Sequence, residues 1–188
     1  MQANFILLDT SVLSEARRSV PHEDVLAFLF QIPPGAVAVA PPVIFELERG
    51  AINAGIHDPE RGRRFSNWVD DLLKTDVYTP PVDAGVKKLL ARMSMVPELA
   101  AFWRSPDHSS KVRFGCDPEI AAVAIVHGIP IASCDVGDFL RIHRHFPLPG
   151  LYSPLDGIWH VEPSHGWRIP ELGEPGPDDW RQMIVPIS

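Results

Sequence analysis

The chain has 188 residues, 45% of them hydrophobic, enough for one domain with a substantial buried core. Its formal net charge of -7 argues against a broad grip on duplex DNA, but leaves room for a small acidic site beside local basic patches. No apolar run approaches the roughly 18 residues of a membrane span, no signal-peptide pattern opens the chain, and two cysteines, Cys116 and Cys134, suit a reducing cytoplasmic setting.

The uninterrupted apolar run over 5–8 predicts a parallel strand buried on both faces, ended by Asp9. Residues 10–18 predict a helix with Val12, Leu13 and Ala16 inward and Arg17 and Arg18 outward. Asp9 therefore suits a helix N-cap as well as a site acid. A second short helix over 22–30 places Val25, Phe28 and Leu29 on one face, and Pro33, Pro34 and Gly35 break it. The small apolar run AVAVA over 36–40 predicts the next strand. Pro41 and Pro42 then start a helix carrying Val43, Ile44 and Leu47 inward, with Glu46 in its first turns and Glu48 and Arg49 following. Gly50 is placed to bend that helix.

Residues 57–64 read as a polar linker containing Arg61, Arg63 and Arg64. Phe65, Trp68, Val69, Leu72 and Leu73 follow at helical spacing, with the aromatic pair facing the core. A third strand is expected at 77–79, and Asp83 opens a helix through Val86, Leu89, Leu90 and Met93. Residues 94–115 form a long connection holding Trp103, Lys111 and Arg113, and loops of that length are usually functional.

The stretch DPEIAAVAIVHGIPIASCDVGDF over 117–139 is the clearest unit. Asp117 sits where an N-cap belongs, with Pro118 at the first helical position. Ala121, Ala122 and Ala124 are small enough for the helix to lie close to a sheet, and Gly128 supplies a left-handed exit. A strand over 129–134 follows, closed by Asp135, with Asp138 three residues beyond. Arg141, His143, Arg144 and His145 make a second basic cluster. The domain is expected to span 1–150. Residues 151–188, rich in proline and tryptophan, are expected as an extension packed on the domain or on a partner, with a hairpin within 157–169.

In a parallel α/β layer, the ends of strands and the starts of the following helices share one rim, where such folds place their ligands. Asp9, Glu46, Asp117 and Asp135 all map to that rim. Four neighbouring carboxylates repel one another unless a cation neutralises them. Oxygen ligands without Cys or His select Mg²⁺ or Mn²⁺ rather than zinc. The chemistry implied is metal-assisted phosphodiester hydrolysis, in which the ion polarises a phosphoryl oxygen and activates water. Thr10 and Ser11 are placed to support the site.

Three segments, LLDTSVLSE (7–15), IFELERG (44–50) and the 117–139 unit, together resemble the PIN domain of VapC-type ribonuclease toxins, over about residues 5–150. The resemblance implies a three-layer α/β/α sandwich with a mainly parallel sheet, and Mg²⁺-dependent RNA cleavage. It also implies a homodimer and a VapB-like antitoxin partner. By position, Asp9, Glu46, Asp117 and Asp135 match the family's acidic quartet, with Asp9, Asp117 and Asp135 on the metal, and Asp138 matches the second acid of the final motif. Arg17, Arg49 and Arg141 are the candidate RNA contacts. A haloacid-dehalogenase-type phosphatase would need an aspartate where Ser11 stands, and a dinucleotide site would need a glycine-rich first turn. The main alternative is a non-catalytic interaction or RNA-binding module on the PIN scaffold.

Overall fold

Each strand is the buried centre of a longer apolar run. The computed structural model describes residues 4–104, 114–163, 167–168 and 176–184. Five strands form one sheet in the order β2-β1-β3-β4-β5. They are β1 (Ile6–Leu8), β2 (Val37–Ala38), β3 (Ile131–Ala132), β4 (Leu151–Ser153) and β5 (Ile158–Val161). The first four are parallel neighbours, and β5 runs antiparallel to β4. The strand expected at 77–79 is a single parallel bridge outside β2. There the Tyr78 N–H donates to the Val37 carbonyl at 2.9 Å, and the Val39 N–H donates to the Tyr78 carbonyl at 2.9 Å.

The helices are α1 (Thr10–Ala16), α2 (Glu23–Gln31), α3 (Pro41–His57), α4 (Pro59–Leu72), α5 (Ala84–Ser94), α6 (Cys116–His127) and α7 (Val136–His143). The chain steps outward from β1 through β2 to Tyr78, then returns to β3 and steps the other way to β4. Right-handed crossovers therefore place α1 to α4 on one face and α5 to α7 on the other. The packing agrees: α1 contacts α2 and α3, and α3 lies along α4, while α6 contacts α5 and α7. This is the three-layer, mainly parallel α/β/α sandwich expected. With both faces covered, Leu7, Leu8, Val37, Ala38, Ile131 and Ala132 are fully buried. Ala121, Ala122 and Ala124 are also fully buried, as their small size allows.

Three local expectations need correction. Residues 57–64 are not a linker, because α4 starts at Pro59. Asp58 caps it, accepting from the Arg61 N–H at 3.0 Å, and Glu60 pairs with Arg63 and Arg64. A cap followed by proline is a helix start, and that signal outweighs the polar composition around it. Next, α3 continues past Gly50 without a break for 17 residues. It packs tightly on α4, where a Cβ added at Gly62 would come within 2.5 Å of the Gly55 Cα. Finally, Asp117 is not the N-cap of α6. Gly115 takes that place with φ +63, and Asp117 falls inside the first turn. A side chain at Gly115 would strike the Trp103 indole at 2.4 Å, so its φ and the space around it both select glycine.

The sheet also crosses the boundary expected at 150, because β4 and β5 both lie beyond it. Their turn uses Gly157 at φ +68, so the hairpin starts earlier than the expected 157–169. Further along, the Asp76 N–H donates to the Asp178 carbonyl at 3.0 Å, and Trp68 Nε1 donates to the Met183 carbonyl at 2.9 Å. Trp167 Nε1 donates to the Phe5 carbonyl at 3.2 Å. In the 94–115 connection, Pro97–Phe102 form a 3-10 helix that buries Leu99 and Phe102. Lys111 and Arg113 lie outside the described residues.

Candidate active site

Strand order reverses between β1 and β3, which opens a crevice at their C-terminal ends. Asp9 stands there as the N-cap of α1, with its own N–H bonded to the Ala132 carbonyl at 2.9 Å. Two hydroxyls hold its carboxylate. Ser11 Oγ donates to Asp9 Oδ2 at 2.5 Å and accepts from the Cys134 N–H at 3.0 Å. Ser133 Oγ donates to the same oxygen at 2.8 Å and accepts from the Asp135 N–H at 3.0 Å. Ser133 is fully buried, and the sequence reading missed it. Its signal was a hydroxyl inside the apolar run IPIASC, since a buried hydroxyl must find partners.

Glu46 projects from the second turn of α3 and accepts from Thr10 Oγ1 at 2.5 Å, so Thr10 supports Glu46 while Ser11 supports Asp9. The Cys116 thiol also bonds Glu46. Asp117, from the first turn of α6, joins Glu46, Arg49 and Asp138 around a cavity of about 200 Å³. Asp135 is exposed and makes no side-chain capping bond at the start of α7. Asp138 lines the cavity, whereas Asp135 does not, although its charge still reaches Asp117.

The electrostatics follow from this crowding. Burial raises the Asp9 carboxyl, with the Ser11 and Ser133 hydroxyls opposing the rise. Burial also raises Glu46, against the Thr10 hydrogen bond and with help from the Asp9 charge. Asp117 is pushed up to about 7, first by burial and then by the charges of Asp9, Glu46, Asp138 and Asp135. Burial and Glu46 push the Cys116 thiol up to about 12, and burial with Asp9 pushes Cys134 up to about 11. Both thiols are therefore neutral near pH 7 in the metal-free protein. Among the described residues, no three His, Cys, Asp or Glu side chains stand close enough together to hold an ion as they are. The carboxylates share one field, and mutual repulsion is consistent with their spread.

The three candidate RNA-contact arginines separate. Arg49 lines the acidic cavity and lies 4.8 Å from the centre of the Phe114 ring. Arg141 pairs with Asp138 at 3.3 Å. Arg17 does not reach this rim: its guanidinium lies 3.3 Å from the centre of the Phe65 ring on α4, where burial and Arg61 lower its pKa.

No family model and no curated protein matches the sequence. Solved structures do share its fold. FitAB bound to the IR36 DNA fragment is 22% identical, with 86% of this chain and 100% of the other covered and a TM-score of 0.57. FitAcB from Neisseria gonorrhoeae is 23% identical over 80% of this chain and 98% of the other, with a TM-score of 0.56. VapBC2 from Rickettsia felis, bound to a DNA fragment from their promoter, is 15% identical over 82% and 98%, with a TM-score of 0.52. At these identities the likeness establishes a PIN-like fold.

Proposed function

We propose that the chain is a Mg²⁺-dependent ribonuclease of the VapC type, with Mn²⁺ as a substitute ion, held in check by an antitoxin. One observation carries this reading: Asp117 sits in a crevice with four other carboxylates acting on it, and its pKa is pushed to about 7. A partly buried like-charge cluster at a topological switch point is suited to a cation. Asp9, Asp117 and Asp135, with Asp138 beside them, would hold it. Once bound, a divalent ion would polarise a phosphoryl oxygen and favour an activated water. Glu46, raised by burial and by Asp9, is placed to take a proton from the attacking water. Arg49 and Arg141 bring positive charge to the rim where phosphates would lie. Ser11 and Ser133 orient Asp9.

Cleavage of RNA by the purified chain in Mg²⁺ or Mn²⁺, abolished by EDTA and not restored by zinc, is the expected result. Undiminished cleavage in EDTA overturns the mechanism.

The antitoxin part of the reading rests on the same acidity. An arginine fork inserted into the cavity would pair a carboxylate bidentately. Trp68 is 5% exposed and unsuited to meeting an apolar helix of the antitoxin. Trp103 instead lines an open cavity of about 700 Å³ with Met95, Val96 and Pro97. Expression alone should be toxic, and co-expression with the antitoxin should give an inactive complex. Ile52 and Ile56, exposed one helical turn apart on α3, offer an apolar face for a homodimer, which gel filtration tests. Among the described residues no helix is long and apolar enough to cross a membrane.

One observation favours a second reading, a non-catalytic PIN scaffold. Thr10 and Cys116 already occupy Glu46, and no three donors converge. Metal binding without turnover on any RNA would support it.

A further inference from the structure

The acidic cavity shares a wall with a second cavity of different character. Phe114 and Cys116 line both. The second has a volume of about 390 Å³, with Phe45, Pro41 and Val82 as further apolar wall and Lys87 and Glu119, an ion pair, at its edge. Phe45 and Phe114 are 43% and 47% exposed. Their ring centres are 5.1 Å apart and their planes meet at 67°. They therefore form an open corner of two aromatic walls, with ring surface left available to a ligand. Arg49 lies between this corner and the carboxylates, over Phe114 and lining the acidic cavity.

We propose that this corner is a nucleobase subsite. An unstacked base of single-stranded RNA packs against Phe45 and Phe114, while its phosphate passes Arg49 to reach the carboxylate cavity. The proposal rests on the nuclease reading above and adds the form of substrate it takes. Aromatic side chains bind bases through their faces with little regard to sequence, and a flanking cation captures the backbone. A base inside a duplex is already stacked and cannot enter such a corner, so loops and single strands are selected. The placement of Arg49 distinguishes a nucleotide from a purely apolar occupant. A hydrophobic peptide side chain would use the corner alone, whereas a nucleotide brings on one unit a base for the rings and a phosphate for Arg49.

The test measures binding in the Asp117→Asn background, so that RNA is not consumed. The probes are fluorescent single-stranded oligoribonucleotides, with one nucleotide made abasic at each position in turn. Phe45→Ala and Phe114→Ala should each weaken binding of the intact strand by roughly 5- to 150-fold. One abasic position should reproduce that loss, and the two losses should not add. Phe114→Tyr should restore most of the affinity and Phe114→Leu should not. Both residues are exposed, and circular dichroism checks that each variant folds. Unchanged RNA binding in both alanine variants overturns the proposal. So does loss of antitoxin binding with RNA binding intact, which would make the corner a protein-docking surface. If the unmodified chain cleaves no RNA yet binds it in this base-dependent way, the subsite stands and the nuclease reading falls.

Discussion

Asp9 and Asp179 are each only 4% exposed, yet the protein treats the two carboxylates in opposite ways. Arg181 grips Asp179 through Nε at 3.0 Å and Nη2 at 2.6 Å, which holds the carboxyl below its ordinary value. Asp9 has hydroxyls and backbone amides as partners, and burial raises it. Asp117 beside it meets further carboxylates and is pushed up to about 7. Asp9 lies much deeper in the protein than Asp179, and the chain supplies a counter-charge only to Asp179, so depth and counter-charge together separate the two regions. Near the C-terminus the result is a closed structural pair. In the crevice between β1 and β3 the acids repel one another, and an external cation would relieve that repulsion.

The sharpest way to break the comparison is to remove one charge from the open cluster. Asp117→Asn should lower RNA cleavage by roughly 1,000-fold or more while leaving the fold intact, as judged by circular dichroism. Asp9→Asn should behave likewise, because asparagine still caps α1. Loss of the folded state in Asp9→Asn would make the cap its main role.

Stability against pH probes the same repulsion. Asp117 is raised from an ordinary carboxylate value to about 7, so between about pH 4 and 7 the folded state keeps a proton that the unfolded chain has lost. Metal-free stability should therefore fall as pH rises through that window, by about 2–4 kcal/mol. Asp117→Asn should flatten the fall, and Mg²⁺ should oppose it. Urea midpoints at pH 4.5 and 8 measure the difference, and an unchanged slope in the variant would place the repulsion elsewhere.

The closed pair should respond in the opposite manner. Arg181→Ala leaves Asp179 buried without its guanidinium and should cost about 1–3 kcal/mol in urea unfolding. Metal-dependent cleavage below the melting transition should be unaffected. A loss of cleavage in that variant would couple two regions that the comparison keeps separate.

Ser133→Ala should give the smallest effect. It removes one donor to Asp9 Oδ2 and the acceptor for the Asp135 N–H, at a cost of about 1 kcal/mol. Metal affinity should fall about 10-fold, read by calorimetric titration, because the hydroxyl orients an acid expected to hold the ion. Unaltered affinity would reduce Ser133 to a structural role.

Much of this architecture was legible before any coordinates. The apolar run of β1, the proline start of α3, the Asp83 cap of α5 and the alanine face of α6 are local signals, and each element appears near its expected place. The polar stretch over 57–64 misled because its three arginines looked like a linker, while Asp58 and Pro59 marked a helix start. The two strands beyond 150 were hard to read for a related reason. β4 has only three residues and too little pattern to announce itself, and pairing with β3 makes it a strand.

The sequence by itself determined the parallel sandwich and the set of acids at the ends of its elements, because periodicity, caps and strand length act between near neighbours. It left open whether Asp135 or Asp138 is the fourth acid and which hydroxyl holds Asp9, and it placed Arg17 outward. The tertiary structure decided these: Asp138 faces the cavity, Ser133 reaches Asp9 across 124 residues, and Arg17 lies on Phe65. Burial and counter-charge are set by whatever packs alongside a group, and for these residues the deciding neighbours come from distant parts of the chain.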